Sequence, residues 1–152
     1  VRQAVPARVA VAALVDGGIF ADTADARGGA GYTNLFRSVY EMQHSVVDPD
    51  CRGSGEGWRC FLSGVAGRFV STPLFISQSL YDTWQIKNVM HMQCAAEECE
   101  GSPAQGRALS LLRGVTMRDA AGVALRKGNG AFMWPCFAHA TVVIDSFWTQ
   151  GS

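Results

Sequence analysis

The stretch that decides the fold is Thr72–Ile86, TPLFISQSLYDTWQI, in which a short apolar run leads to a single acidic residue flanked by aromatic side chains. Pro73 lacks a backbone N–H but is tolerated at the start of a strand, and residues 74–76 form the uninterrupted apolar run of a strand covered on both faces. The run then becomes polar and reaches Asp82. Because open α/β sheets bind ligands at the carboxyl ends of their strands, this pattern predicts a central strand with Asp82 at the functional edge.

The overall composition narrows the class of protein and its partners. The 152 residues suit one domain or part of a larger one, and 48% hydrophobic against 17% charged residues argues against disorder. Lys and Arg together number 13, as do Asp and Glu, so no basic field points to a nucleic-acid or anionic-membrane partner. No apolar run approaches the roughly 18 residues of a membrane span. We therefore expect a globular α/β domain.

The beginning of the chain resembles the middle of a structural element. Arg2–Pro6 has the pattern of a last helical turn that ends at proline, and the first residues lack the long apolar region of a signal peptide. We therefore expect residues 1–152 to be the C-terminal portion of a single domain, with an N-terminal portion and any secretion signal upstream of Val1.

Five cysteines occur without metal-site spacing, since none forms a CxxC pair or lies at zinc-ligand distance from a histidine. Cys51 and Cys60 flank a glycine-rich loop, and Cys94 and Cys99 flank Ala-Ala-Glu-Glu, so each pair can close a local disulfide in an oxidising compartment. Cys136 is then left over, and the absent N-terminal portion is its simplest partner. The alternative is five reduced thiols in a cytosolic protein.

The segments before the central strand predict one more strand and two helices. The apolar run Arg8–Val15 predicts a second parallel strand that ends at Asp16, which either braces the following Asp-Gly turn or forms a wall of the substrate pocket. Helical spacing from Asn34 to Val46 predicts a helix that Thr33 caps, that ends at Asp48-Pro49 and that covers one sheet face. Its predicted core stripe is Leu35, Phe36, Val39, Met42 and Val46. A short helix is predicted from Phe61 to Val70.

The segments after Asp82 predict two helices and a last strand. Apolar spacing favours helices over Trp84–Met92 and Gly106–Val123, and a strand from Ala131 to Trp134 followed by a loop that presents His139. The type of the apolar segment Thr141–Trp148 stays open, because its pattern fits either a strand or a helix.

Asp82 and His139 are the residue types that a nucleophilic hydrolase needs. A histidine can take the proton of a nucleophile, and an aspartate can fix the tautomer of that histidine. Their order, acid after a strand and histidine after the last strand, is that of α/β-hydrolases. No serine lies in a GxSxG elbow, so the nucleophile is expected upstream of Val1.

Three segments together resemble the pectin acetylesterase and Notum family of carboxylesterases. The family's proline-started strand and YDxWQI-type turn are similar to TPLFISQSLYDTWQI. Its aspartate-glycine turn is similar to VDGGIFAD at Val15–Asp22, and its Cys-x-x-His segment is similar to PCFAHATVVIDSFW at Pro135–Trp148. The cysteines at 51 and 60 before the central strand are also family-like.

The resemblance implies an α/β-hydrolase-like, mostly parallel sheet flanked by helices, of which this chain is the C-terminal part. Asp82 would orient the catalytic base His139, with Asp16 and Trp84 near the substrate. It further implies a secreted, disulfide-bonded enzyme of the extracellular space or cell wall, with no metal or cofactor, that hydrolyses acyl esters of a polysaccharide or of a protein. Plant members often carry a second cysteine after the histidine, where this chain has Ala140.

Two other functions compete with the esterase. A non-catalytic esterase-like domain would serve as a structural or binding subunit of a larger extracellular assembly. A carbohydrate-binding module would use Trp58, Trp84 and Trp134, but no spacing among these tryptophans supports it.

Overall fold

A parallel sheet forms the centre of the protein, for which a computed structural model describes residues 5–94, 99 and 101–142. Within these residues the sheet contains β1 (Ala13–Asp16), β2 (Leu74–Asp82) and β3 (Gly130–Ala138), in the order β1-β2-β3. Both pairs are parallel. The central position predicted for the strand before Asp82 is therefore confirmed.

Helices occupy both crossovers between the strands, as parallel neighbours require. They are α1 (Gly31–Met42), α2 (Pro49–Gly53), a 3-10 helix (Gly57–Phe61), α3 (Ser63–Ala66), α4 (Thr83–Asn88) and α5 (Pro103–Ala124). None of the helices in the described part of the chain is long and apolar enough to cross a membrane.

Helix α5, predicted as an amphipathic helix over Gly106–Val123, covers one face of the sheet. Ala120 and Val123 pack with Ile76 of β2 in a buried cluster. Earlier in the helix, Leu109 and Leu112 join a second cluster that includes side chains of α4 and of the residues after it. Helix α5 therefore fixes α4, and with it the end of β2, against the sheet.

The opposite face of the sheet is apolar and uncovered in the described residues. The register pairs Leu14 with Phe75 and Ser77 with Phe132, so these three large side chains point to the same side. They are 54%, 49% and 61% exposed, respectively. We call Leu14, Phe75 and Phe132 the open sheet face.

The prediction for α1 was partly wrong. The helix begins at Gly31 without a side-chain cap from Thr33, and it ends at Met42. Its predicted core residues Leu35, Met42 and Val46 are 57%, 68% and 97% exposed.

The stripe of α1 that packs inward is aromatic: Tyr32 is buried, and the predicted core residue Phe36 and Tyr40 are half-buried. Phe36 and Tyr40 pack on Phe61 of the 3-10 helix, with ring centroids 5.7 and 6.0 Å apart. The helix therefore packs on this neighbour and does not cover the sheet. Asp48, expected to help end α1, instead caps α2 by accepting from the backbone N–H groups of residues 50 and 51.

The strand boundaries also differ from those predicted. Strand β1 is shorter than the apolar run Arg8–Val15, whereas β3 continues through Pro135 to Ala138. Proline is tolerated there because the register of β3 shifts opposite residues 79–81. The Ser79 hydroxyl spans this irregularity, donating to the carbonyl of Cys136. Of the segment Thr141–Trp148, residues 143–148 lie outside the described residues.

Two disulfides form at the predicted positions. Cys51 of α2 pairs with Cys60 of the 3-10 helix, and Cys94 pairs with Cys99. Cys136 is exposed and forms no disulfide with the described residues. The first disulfide links α2 to the 3-10 helix on which α1 packs.

Neighbouring leucines of α5 provide a matched test of the core. Leu112 is fully buried, whereas Leu111 is 46% exposed. We expect Leu112→Ala to lower the free energy of unfolding by about 2–5 kcal/mol, because it leaves a cavity, and Leu111→Ala to lower it by less than about 1 kcal/mol. Denaturant unfolding of both variants measures the difference, and equal losses would contradict the orientation of α5.

Candidate active site

Asp82 is the last residue of β2, and its carboxylate is buried at the start of α4. The residue is 1% exposed. Oδ1 accepts a hydrogen bond from the backbone N–H of Gln85 at 2.9 Å, which makes Asp82 the N-cap of the helix. The turn from strand to helix therefore fixes this carboxylate at the carboxyl edge of the sheet.

His139 follows β3 directly and meets Asp82 at this edge. Because β3 runs parallel to β2, with Ala138 opposite Asp82, the two strands end side by side. His139 Nδ1 lies 2.7 Å from Asp82 Oδ2. The histidine side chain is 31% exposed, so its ring borders solvent while its partner is buried. The structure thus brings the predicted acid and base into hydrogen-bond contact.

Trp84 lies on the histidine ring. The two ring centroids are 6.1 Å apart and the planes differ by 26°. The indole also meets Phe20 and Tyr32 edge-on, at 5.4 and 6.0 Å. Trp84 therefore helps to hold the His139 ring from an aromatic wall, and its predicted contact with substrate stays a prediction.

Asp16 lies at the carboxyl end of β1, beside the chain that follows His139. Its Oδ2 accepts from the backbone N–H of Val142 at 2.7 Å. The other oxygen, Oδ1, is buried without a hydrogen bond in the described part of the chain. The carboxylate thus braces the segment after the histidine and not its own turn, and a role in substrate binding remains a prediction.

Gly17 brings the turn after β1 against the histidine. Its φ is +64°, and a Cβ at this position would lie 3.1 Å from His139 Nδ1 and 3.0 Å from Ala140 N. Glycine suits this position because it accepts the left-handed backbone conformation and leaves room for the ring.

Two buried glutamines on either side of Asp82 were missed by sequence reasoning. Gln78 and Gln85 are both 0% exposed. Gln78 Nε2 donates to Asp82 Oδ2 at 3.1 Å, and Gln85 binds the backbone of Ile19 and Ala21. For Gln78 the available signal was an amide within a strand predicted to be buried, because a buried amide requires hydrogen-bond partners.

In the described residues, no serine joins the Asp82–His139 pair and no group of side chains could bind a metal ion. No serine hydroxyl in residues 5–94, 99 and 101–142 bonds to His139. Ser63 instead donates to Gly18 O and accepts from Phe20 N. Within the same ranges, no three His, Cys, Asp or Glu side chains come together as ligands for a metal ion.

Comparison with known proteins identifies the family to which this arrangement belongs. A pectinacetylesterase family profile matches residues 1–152, the whole of the chain. The chain belongs to the pectinacetylesterase family. Pectin acetylesterase 5 of Arabidopsis thaliana is 24% identical over 159 residues, which cover 97% of this chain and 37% of that protein. Pectin acetylesterase 7 of the same plant is 25% identical over 150 residues, covering 91% and 38%.

The family fold is also seen in a solved structure. The Wnt deacylase Notum from Drosophila matches with a TM-score of 0.72 and 21% identity, over 87% of this chain and 36% of that one. The predicted α/β-hydrolase-like fold and the family resemblance are therefore confirmed. The pectinacetylesterase chain described here spans less than two fifths of the length of these relatives.

Two glycines test the contact between the β1 turn and the histidine. Gly17 and Gly28 both have positive φ, +64° and +85°, but only at Gly17 would an added Cβ have neighbours within 4 Å. We expect either alanine variant to lose about 1–2 kcal/mol of stability from backbone strain. Only Gly17→Ala should shift the NMR signals of the His139 ring, and identical His139 spectra in both variants would contradict the contact.

Tyr32 allows a test at alkaline pH. Burial, with a smaller contribution from the negative charge of Asp82, raises its pKa from 10.0 to about 12. Between these pH values the folded protein retains the Tyr32 proton, whereas the unfolded chain releases it. Deprotonation therefore favours the unfolded chain, and the free energy of unfolding decreases as the pH rises from 10.0 to about 12. Over that range we expect the free energy of unfolding to fall less steeply in Tyr32→Phe than in the wild type. Parallel slopes in pH-dependent denaturation would count against this burial.

Proposed function

We propose that this chain is the C-terminal part of a serine carboxylesterase, in which Asp82 orients the catalytic base His139. The supporting observation is the 2.7 Å contact between Asp82 Oδ2 and His139 Nδ1. A carboxylate can only accept, so Nδ1 carries the proton and Nε2 keeps its lone pair. The partly exposed ring then has the tautomer that a nucleophilic serine requires.

The chemistry divides into two steps. In the first, His139 Nε2 takes the serine hydroxyl proton as the oxygen attacks the ester carbonyl, and then gives that proton to the departing alcohol, which leaves an acyl-enzyme. In the second, the same nitrogen takes a proton from water as the water oxygen attacks the acyl carbon, and it then gives that proton to the serine oxygen as the acyl–serine bond breaks and the acid is released. Asp82 stabilises the imidazolium formed in both steps.

The serine and the oxyanion-binding amides are proposed to lie in an N-terminal portion upstream of Val1. Relatives are more than twice as long as this chain, and no described serine contacts His139. The open sheet face supports the same proposal, because large apolar side chains at Leu14, Phe75 and Phe132 require cover in a stable α/β sheet. The exposed thiol of Cys136 is available for a disulfide with that portion.

The proposed substrate is an O-acetyl ester of a polysaccharide. The names of the Arabidopsis relatives, pectin acetylesterases, support this class over an acylated protein, the class that the name of the Drosophila Wnt deacylase suggests. The two disulfides suit an oxidising compartment, so we propose that the enzyme is secreted and acts outside the cell or in the cell wall.

A serine-directed phosphonate and an aryl acetate test the function in the full-length protein. We expect the wild type to be labelled and to turn over the acetate, and His139→Ala and Asp82→Asn each to lower kcat by about four orders of magnitude. The control is His44→Asn, at an exposed histidine with φ 47°, a conformation that asparagine tolerates. This variant should keep its activity.

Three outcomes discriminate between the functions. Absence of labelling and turnover in the full-length wild type would overturn the esterase and favour a non-catalytic subunit of an extracellular assembly. Turnover that is unaffected by His139→Ala would reject the proposed base. Release of acetate from acetylated pectin, but not of a fatty acid from an acylated peptide, supports the polysaccharide substrate, and the reverse overturns it.

A further inference from the structure

Gln78 is a fully buried amide in the central strand, and each of its polar atoms has a partner. Its side chain is 0% exposed. Oε1 accepts from the backbone N–H of Ile19 at 2.9 Å, while Nε2 donates to Ser79 O and to Asp82 Oδ2, both at 3.1 Å. Burying an amide is unfavourable without such partners, so the side chain has one well-defined orientation.

The oxygen that Gln78 binds is the one that receives the histidine. Asp82 Oδ2 lies 3.1 Å from Gln78 Nε2 and 2.7 Å from His139 Nδ1. Oδ1 is occupied separately by the backbone N–H of Gln85 at 2.9 Å. Rotation of the carboxylate about its terminal bond would break all three contacts. The amide of Gln78 therefore restricts the direction in which Asp82 presents Oδ2 to the imidazole.

We propose that Gln78 is a positioning residue of the candidate active site, whose side-chain amide holds the Asp82 carboxylate in the orientation that selects the Nδ1–H form of His139. The catalytic consequence rests on the proposed esterase function, whereas the effect on the histidine tautomer does not. Because the same amide binds Ile19, the orientation of the acid is also coupled to the loop after β1.

Gln85 offers a matched control for a purely structural role. It is buried to the same extent, and its side chain binds the same loop through Ile19 O at 2.8 Å and Ala21 N at 2.9 Å. Its contact with Asp82 is made by the backbone N–H, which a side-chain substitution retains. Gln78→Met and Gln85→Met therefore both release the loop, but only Gln78→Met removes a donor from Asp82.

The first experiment compares these variants in the full-length protein by nitrogen NMR of the His139 ring and by kcat on an aryl acetate. We expect a single Nδ1–H tautomer in the wild type and in Gln85→Met, and a mixture of tautomers in Gln78→Met. The kcat of Gln78→Met should fall about 10- to 100-fold, the scale of a hydrogen bond to a charged group. A single tautomer in Gln78→Met, with a kcat equal to that of Gln85→Met, would overturn the proposal.

A second variant keeps the test decisive if Gln78→Met does not fold. Gln78→Asn keeps an amide in the strand but shortens the side chain by one methylene, which withdraws its N–H groups from Asp82 Oδ2. The nitrogen NMR of the His139 ring should then show the mixture of tautomers expected for Gln78→Met. A single Nδ1–H tautomer, unchanged from the wild type, would refute the contact.

The two readouts separate failure of this inference from failure of the proposed function. If the full-length wild type shows no turnover but Gln78→Met still mixes the His139 tautomers, the esterase is rejected and the positioning role is retained. If the enzyme is active and the tautomer is unaffected by Gln78→Met, only the positioning role is rejected.

Discussion

The structure depends on one buried carboxylate, that of Asp82, and on the three N–H groups that surround it. These groups come from the side chain of Gln78 in β2, the backbone of Gln85 in α4 and the ring of His139 after β3. An ionised carboxylate is very unfavourable in a protein interior unless its oxygens accept hydrogen bonds. The start of α4, the arrangement of the strand ends and the candidate catalytic pair are thus coupled through a single charge.

The walls around this pair come from elements that are distant in sequence. An aromatic group from the β1 loop, α1 and α4 lies on one side of His139, where Trp84 stacks on the ring. The turn at Gly17 and the brace from Asp16 to Val142 lie against the histidine and the chain that follows it. The position of the ring is therefore determined by packing and backbone hydrogen bonds together, as expected for a preorganised site.

The sequence predicted the structure well where a local pattern allows few arrangements of the chain. It predicted the structure less well where packing between distant segments determines the arrangement. The apolar run at residues 74–76 and the acid at Asp82 could be placed because a buried parallel strand must end at a sheet edge. The core side of α1 could be placed only in part, since its periodicity allowed both the predicted stripe through Leu35, Phe36 and Met42 and the aromatic stripe that contacts Phe61. The loop partners of Gln78 and Gln85 could not be identified for a related reason, because they lie about sixty residues away along the chain.

Strand β2 extends well beyond its neighbour β1. The backbone ladder between them ends at Asp16 and Ser77, so no strand in the described part of the chain lies beside Gln78–Asp82 on that side. The glutamine amides take the place of the missing ladder by binding both the N–H and the C=O of Ile19. A loop attached through side chains can be reshaped by substitution at a few positions while every backbone pair of the sheet is conserved. The position of the segment beside the histidine therefore depends on two side chains, whereas the sheet depends on backbone hydrogen bonds.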